Sequence, residues 1–286
     1  MKTIRFIINP ISGVGKKNTV PPLIEKYLDH TKFKYELIYT EYRKHAFEIS
    51  KQASEDGIDI VCVVGGDGSV NEAGTALIGS KTIFSILPTG SGNGVARHMG
   101  IPLNLKKAIQ RINREKVVIM DTVDINNHPA IGVSGFGFDA IVAKRFDEYH
   151  KRGLASYAKL VLKEWRGYKG IDVVYNGEMH KNLLFCCIAN TNQFGNNFVI
   201  SPTSDVTDGK IEIVMVKLPK TFALMGLLLS SLLKKVGNSE YVMTYKTDKA
   251  NLIVHDTHGH IDGDPITCTY NQLTVNCVPK SLKIIV

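Results

Sequence analysis

Over the first 112 residues, short β-branched runs alternate with segments that can be helical, and a glycine-bearing loop follows three of the strand-like runs. Residues 4–8, 34–40, 60–64 and 83–87 read as strands; 21–28, 46–54, 70–79 and 105–112 read as helices. The loops are Asn9-Pro10-Ile11-Ser12-Gly13-Val14-Gly15, Gly65-Gly66-Asp67-Gly68-Ser69 and Thr89-Gly90-Ser91-Gly92-Asn93-Gly94. Strands and helices alternating at this spacing predict a doubly wound parallel sheet. Such sheets bind their ligands outside the carboxyl ends of the strands, and all three loops fall at those ends. A single glycine loop is a weak signal; their convergence on one edge of a sheet is a strong one.

The second loop says most about chemistry. The run Val61-Cys62-Val63-Val64 ends in Gly65-Gly66-Asp67-Gly68-Ser69-Val70-Asn71-Glu72. Glycines here let the backbone turn with φ > 0 and let a phosphate reach peptide N–H groups with no Cβ in the way. The helix that follows points its positive end at the same anion. Asp67 is the odd member, because a carboxylate beside phosphates repels them unless a divalent cation lies between. The motif reads as a site for a metal-bound nucleotide. In the third loop Ser91 adds a hydroxyl, with Arg97 one or two helical turns on. Taken alone, that loop reads equally well as a tight turn. Neither it nor Gly13-Val14-Gly15-Lys16-Lys17 has the spacing of a P-loop.

With 286 residues the chain can bury a full core and splits most naturally into two domains. Apolar residues at 44% and charged residues at 22% exclude a disordered or fibrous class. The balance of 35 Lys+Arg against 27 Asp+Glu, +8 in all, favours polyanions such as nucleotides or an anionic leaflet. No basic block with interleaved aromatics occurs, so nucleic acid is not an expected partner. The five cysteines form no CxxC pair and sit in apolar runs, which predicts reduced, buried thiols. The apolar start Met1–Ile8 is too short for a signal peptide. The longest greasy segment, 222–233, is interrupted by Gly226, Ser230 and Ser231, whereas a membrane span needs roughly 20 apolar residues. The expected location is cytoplasmic.

From about Asp121 the texture changes to short strand-like runs at 121–125, 171–175, 184–189, 210–216, 241–244, 250–255, 272–277 and 282–286. Asn176-Gly177 and Asp208-Gly209 supply hairpin chemistry between them. Two helical segments, near 140–165 and 218–236, interrupt the pattern. The expected fold class is α/β: an N-terminal doubly wound parallel-sheet domain followed by an antiparallel, β-rich, sandwich-like domain. The boundaries are drawn at 1–122 for nucleotide binding and 123–280 for the substrate, with the tail 281–286 free to return to the first domain. Several features have plain readings as residues alone. Asp262-Gly263-Asp264 reads as a type I′ turn, and Asp205 and Asp208 as turn residues. The histidines of 255–260 read as turn residues rather than zinc ligands. The 220–235 segment suits a buried helix better than one docked on a bilayer. The glycines of 132–138 fit either a pocket lining or close strand packing.

Asn9-Pro10 with Ser12-Gly13, then Gly-Gly-Asp-Gly-Ser-x-Asn-Glu at 65–72, then Pro-x-Gly-Ser-Gly-Asn at 88–93 resemble the catalytic family of diacylglycerol kinases and sphingosine kinases. Ser201-Pro202-Thr203-Ser204-Asp205-Val206-Thr207-Asp208-Gly209-Lys210 and Ile261-Asp262-Gly263-Asp264-Pro265 extend the likeness to about residue 266. NAD kinases share the glycine–aspartate loop; the two later motifs favour a lipid kinase. The resemblance implies the two-domain lipid kinase fold. It implies ATP- and Mg²⁺-dependent transfer of a γ-phosphoryl group to a hydroxyl of diacylglycerol, a sphingoid base or a related lipid. It also implies peripheral contact with a membrane and leaves a homodimer open. The alternatives are an NAD kinase-like enzyme and a non-catalytic nucleotide- or lipid-binding regulator.

Carried over position by position, the resemblance places Asn9, Pro10, Ser12 and Gly13 at the nucleotide phosphates and Thr40 nearby. Gly65, Gly66, Asp67, Gly68, Ser69, Asn71 and Glu72 wrap the triphosphate, with Asp67 at the catalytic Mg²⁺, and Gly90, Ser91 and Asn93 complete the cradle. Asp205, Asp208 and the Lys210 carbonyl form a second, structural Mg²⁺ site. Asp262 and Asp264 occupy the family's Asp-Gly-Glu, where a carboxylate activates the acceptor hydroxyl. Asp264 stands where glutamate is usual and is one methylene shorter, so Asp262 is expected to be the general base. Ser69 replaces the commoner threonine, and Asn196-Asn197 a glycine-rich pair.

Overall fold

The computed structural model describes residues 1–12, 19–148, 163–165, 167–255, 258–267 and 272–286. They form two compact units, Met1–Thr122 with Pro279–Val286, and Val123–Val278.

The first unit is built on strands β1 (Lys2–Ile8), β2 (Phe33–Tyr39), β3 (Ile60–Gly65) and β4 (Ile83–Pro88). They run parallel in the order β4-β3-β1-β2. Every residue of β3 is buried, as a strand covered on both faces requires. The cover comes from helices α1 (Val20–Tyr27), α2 (His45–Glu55), α3 (Asp67–Ala76) and α5 (Leu105–Ile112), α1 packing on α5 and α2 on α3. Pro21 and Pro22 open α1, where the missing N–H costs nothing. Asn104 caps α5 by accepting from Lys107 N at 3.1 Å. Because β1 lies between β2 and β3, the winding reverses at β1 and β3. The first two glycine loops leave the sheet at that switch point.

In the first unit, helices α3 and α4 differ from the sequence expectation. Helix α3 starts at Asp67 rather than at residue 70, so Gly68 and Ser69 lie in its first turn, with Gly66 as N-cap. A five-residue helix α4 (Gly94–His98) follows the third loop, entered through Asn93 in the left-handed conformation, φ 55°.

The second unit is antiparallel. It contains β6 (His128–Ala130), β7 (Val133–Gly137), β8 (Ile171–Tyr175), β9 (Glu178–Ala189), β10 (Ile211–Lys217), β11 (Val242–Thr247), β12 (Lys249–Val254), β13 (His258–Ile261) and β14 (Asp264–Thr267). Helices α6 (Phe138–Glu148) and α7 (Thr221–Leu232) accompany them. Two strands serve both units, β5 (Val117–Ile125) and β15 (Gln272–Ile285). The sheet order is β14-β13-β7-β9-β8-β12-β15, with β10 beside β9 and β11 beside β10. From Phe185 to Ala189 the side chains of β9 alternate between two cores. Leu183, Cys186 and Ile188 enter one, and Phe185, Cys187 and Ala189 the other. That two-faced burial is what the expected sandwich-like reading requires.

Hairpin chemistry is visible in the dihedrals. Asn126-Asn127 (φ 49° and 66°), Asn176-Gly177 (53° and 80°) and Asp262-Gly263 (51° and 89°) join β5–β6, β8–β9 and β13–β14 with both central residues at positive φ. Asn196 and Asn197 reach φ 52° and 62°, so asparagine supplies the left-handed turn in place of glycine. The glycines of 132–138 belong to strand β7 and its approach. β15 is one strand where two were expected. Leu273–Asn276 pairs antiparallel with β12, and Ile284 pairs parallel with Phe84 of β4. Cys62, Cys186 and Cys187 are buried free thiols, and burial pushes the Cys62 thiol up to about 12. Residues 149–162 of the expected 140–165 helix lie outside the described residues. Among the described residues no helix is long and apolar enough to cross a membrane.

Candidate functional site

The three loops of the first unit are tied to one another by side chains. Asn9 Nδ2 donates to Ser69 Oγ at 2.8 Å, joining loop one to loop two. Ser12 Oγ lies 3.0 Å from Thr89 Oγ1, joining loop one to loop three. The Asp67 carboxylate accepts from Asn93 N at 2.8 Å and Gly94 N at 2.6 Å, joining loop two to loop three. Main chain adds to this, Thr89 N donating to Gly65 O at 2.9 Å. Asp67 thus spends one lone pair of each oxygen on the N-terminus of α4, where a negative charge is favoured. Its pKa is raised above the ordinary carboxylate value: burial outweighs the amide donors of Gly94, Asn93 and Asp67 itself and the nearby Arg97 charge.

The close approach of loops two and three depends on glycine. A Cβ at Gly90 would lie 2.4 Å from Gly66 Cα, a backbone atom that cannot swing away. Gly90→Ala should therefore part the two loops. We expect a melting temperature lower by several degrees and loss of nucleotide binding, readable by calorimetry and by titration with a fluorescent ATP analogue.

The predicted nucleotide residues have the following places. Ser12 Oγ donates to Asn9 O at 3.0 Å, and Ile11 N to Asn9 Oδ1 at 3.0 Å, which shapes the turn at Pro10. Gly13 lies outside the described residues. Thr40 directly follows β2, its N donating to Ile8 O at 2.9 Å. The first-turn amides of α3, at Gly68 and Ser69, are of the kind no helix satisfies internally. Ser91 is exposed at the tip of loop three. Glu72 holds the start of α2, accepting from Lys44 N at 3.0 Å and Ala46 N at 3.3 Å. That capping is a task its place beside the glycine loop did not suggest. Asn71 Oδ1 and Asn93 Oδ1 are buried acceptors with no hydrogen-bond partner. Asn71 follows Asp67 by four residues on α3, hence on the same helix face. Buried acceptors left open beside a carboxylate suit the water shell of a hydrated magnesium ion, so the residues present fit one here.

The carboxylates expected to hold the second ion have partners within the protein. Asp205 Oδ1 accepts from Thr207 N at 2.9 Å and Thr207 Oγ1 at 2.7 Å. Asp208 Oδ1 accepts from Lys210 N at 2.9 Å, and the Lys246 ammonium stands 2.5 Å from Asp208 Oδ2 and 3.5 Å from Glu212 Oε1. Lys246 thus pairs with Asp208, one of the two carboxylates expected to hold that ion. Asp208, first, and Glu212 raise the Lys246 pKa, while burial raises that of Glu212. Lys246→Met should cost about 1–2 kcal/mol, less than a fully buried pair because Lys246 is 39% exposed. Chemical denaturation checks this, and EDTA should leave the wild-type midpoint unchanged.

In the second unit, Asp262 sits in the β13–β14 turn with both oxygens engaged. Oδ2 accepts from Ile131 N at 2.7 Å and Oδ1 from Gly132 N at 2.9 Å, while its own N donates to Ser134 Oγ at 3.3 Å. Burial pushes its carboxyl up to about 6 against those two amides. Asp264 begins β14, paired with Ile261. The turn reading of Asp262-Gly263 and the carboxylate motif are thus both present in one hairpin. Thr89, Gly94 and Ile131 were given no task by the sequence, since each acts through a partner 27 to 131 residues away.

Residues 3–125 match the family model of the diacylglycerol kinase catalytic domain, and residues 132–286 that of the YegS C-terminal NAD kinase beta sandwich-like domain. A diacylglycerol kinase of Mycobacterium tuberculosis is 25% identical over 99% of this chain and 94% of its own length. The crystal structure of a diacylglycerol kinase from Bacillus anthracis shares the fold with a TM-score of 0.73 at 17% identity, covering 99% of this chain and 96% of that one. An NAD kinase from Archaeoglobus fulgidus, solved with ATP, is a more distant likeness of fold, with a TM-score of 0.54 at 12% identity over 99% and 93% of the two chains. Three tied glycine loops at a parallel-sheet switch point, a carboxylate hairpin in a β-rich second unit and two family models spanning nearly the whole chain lead to one conclusion: the chain belongs to the diacylglycerol kinase family of lipid kinases.

Proposed function

We propose that the chain transfers the γ-phosphoryl group of ATP, with magnesium, to a hydroxyl of diacylglycerol, a sphingoid base or a related lipid. The observation that carries this reading is the triple link Asn9–Ser69, Ser12–Thr89 and Asp67–Asn93/Gly94, which presents bare amides at the sheet's switch point. The phosphates lie along the first-turn amides of α3 and the Ser91 hydroxyl, with Asn9 and Ser12 shaping the adjoining wall. Asp67, Asn71 and Asn93 are the residues that would hold the ion. A bound magnesium ion supplies positive charge against the oxygens of the transferring group. Arg97 Nε donates to Gly92 O at 2.9 Å and so fixes the third loop.

A carboxylate of the second unit takes the acceptor's proton, a contribution of typically 10²–10⁴-fold. We assign that task to Asp264. Asp262, first choice from the sequence, has both oxygens committed to the amides of Ile131 and Gly132, and that makes it a support for the hairpin. The acceptor reaches the enzyme from a membrane surface. Leu232 and Leu233, 52% and 57% exposed, stand beside exposed Lys234 and Lys235, a pairing that suits peripheral contact with anionic lipid.

The test is transfer of labelled γ-phosphate to diacylglycerol, sphingosine and monoacylglycerol in mixed micelles, with Asp67→Ala and Asp264→Ala alongside. A lipid-free arm scores NADP formation. No transfer above the two variants on any lipid ends the reading, and NADP formation replaces it.

A further inference from the structure

Behind the carboxylate hairpin lies a buried chain of polar groups to which the transfer assigns no task. His260, 3% exposed on β13, receives Gly263 N–H at Nδ1, 3.1 Å. An N–H donor at Nδ1 means that this nitrogen carries no proton, so the ring proton is on Nε2. Nε2 faces Asp139 Oδ2 at 3.1 Å and donates to it. Asp139 is itself fixed, its Oδ1 accepting from Ala140 N at 2.9 Å in the first turn of α6 and its Oδ2 from Cys187 Sγ at 3.4 Å. The strand beside the pair has given up a side chain for it. A Cβ on Gly135 would stand 2.0 Å from Asp139 Oδ2 and 3.1 Å from His260 Nε2. Phe194 closes the remaining side of the ring, centroids 6.1 Å apart.

The end of this chain is the amide of Gly263, the residue between Asp262 and Asp264. The turn there needs two successive positive-φ residues. It is held on one side by Asp262 through Ile131 and Gly132, and on the other by His260. We infer that Asp139 and His260 are positioning residues of the phosphotransfer: Asp139 selects the His260 tautomer whose Nδ1 accepts from Gly263, and this fixes the hairpin that carries Asp264. The inference rests on the lipid kinase reading, with Asp264 as base. A displaced base loses rate without loss of nucleotide affinity, and this separates positioning from general stability.

Glutamine and asparagine divide the two functions of the ring. His260→Gln can still donate toward Asp139 but puts no acceptor under Gly263; His260→Asn keeps an acceptor near Gly263 and is too short for Asp139. Each variant loses one hydrogen bond, so a purely structural role predicts equal effects. We expect kcat to fall about 10- to 100-fold in His260→Gln and to stay within about fivefold of wild type in His260→Asn. KM for ATP should remain within about twofold in both. Asp139→Asn, which cannot accept from both Ala140 N and His260 Nε2 in the present arrangement, should fall about tenfold in kcat. Long-range ¹H–¹⁵N spectra of the wild type should show His260 protonated at Nε2. A wild type protonated at Nδ1, or equal kcat in the Gln and Asn variants, overturns the inference while an active wild type leaves the lipid kinase reading standing. A wild type inert on every lipid removes both.

Discussion

Asp67→Asn will lower phosphate transfer by about 10²- to 10³-fold and will also loosen the first unit. The amide turns one oxygen into a donor, and that donor then faces the N–H of Asn93 or Gly94, which now donate at 2.8 and 2.6 Å. An unpaired buried donor costs about 1–3 kcal/mol, or several degrees of melting temperature in a unit of this size. The two losses have separate readouts. If Asp67 only ties the loops, Asp67→Glu, which keeps the charge on a longer stem, should recover part of the stability. If it also holds magnesium, the magnesium concentration needed for half-maximal rate should rise in both variants. An Asp67→Asn enzyme with wild-type turnover would show that neither the link nor the charge serves transfer.

The second large effect separates the two carboxylates of the hairpin. Asp264→Ala should remove about 10²–10⁴-fold of kcat, as expected for a proton acceptor, with a smaller loss of melting temperature than Asp262→Ala. Asp262→Ala should lose activity and stability together, because Ile131 N and Gly132 N lose their acceptor. The pH dependence identifies Asp262 further. Its folded pKa, about 6, lies above the unfolded value of 3.8, so the folded chain holds the proton more tightly. The stability contributed is then complete below pH 3.8 and is lost as pH rises through 6, a change of about 3 kcal/mol. Asp262→Asn cannot titrate, so the stability gap between it and wild type should move in the wild type's disfavour from pH 4 to pH 7. Denaturant midpoints across that range measure it. A constant gap would mean that Asp262 titrates alike in the folded and unfolded chains.

Much of this architecture is legible because its causes are local. The strands at 60–64 and 83–87 announce themselves by short, mostly apolar runs, and helix 105–112 by apolar residues recurring at helical spacing. What escaped was short or set from far away. Helix α4 has five residues and a glycine at its start; what anchors it is a carboxylate 26 residues earlier. β13 reads His-Gly-His-Ile, no strand pattern by itself, and exists because β7 and β14 flank it. Pro279 made β15 look like two strands, yet the chain passes the proline and Lys280, at φ 49°, without leaving extended structure for long.

The residues alone determined a parallel α/β unit with three anion-ready loops and a β-rich partner, since periodicity and turn chemistry act over ten residues or fewer. Tertiary structure alone decided what each carboxylate is for. Asp67 meets amides of a later loop, Glu72 caps another helix, Asp208 pairs with Lys246, and Asp262 spends both oxygens on Ile131 and Gly132. A carboxylate has the same letter in every such task. Its use depends on which donors lie within 3 Å, and chain folding brings those donors from dozens of residues away.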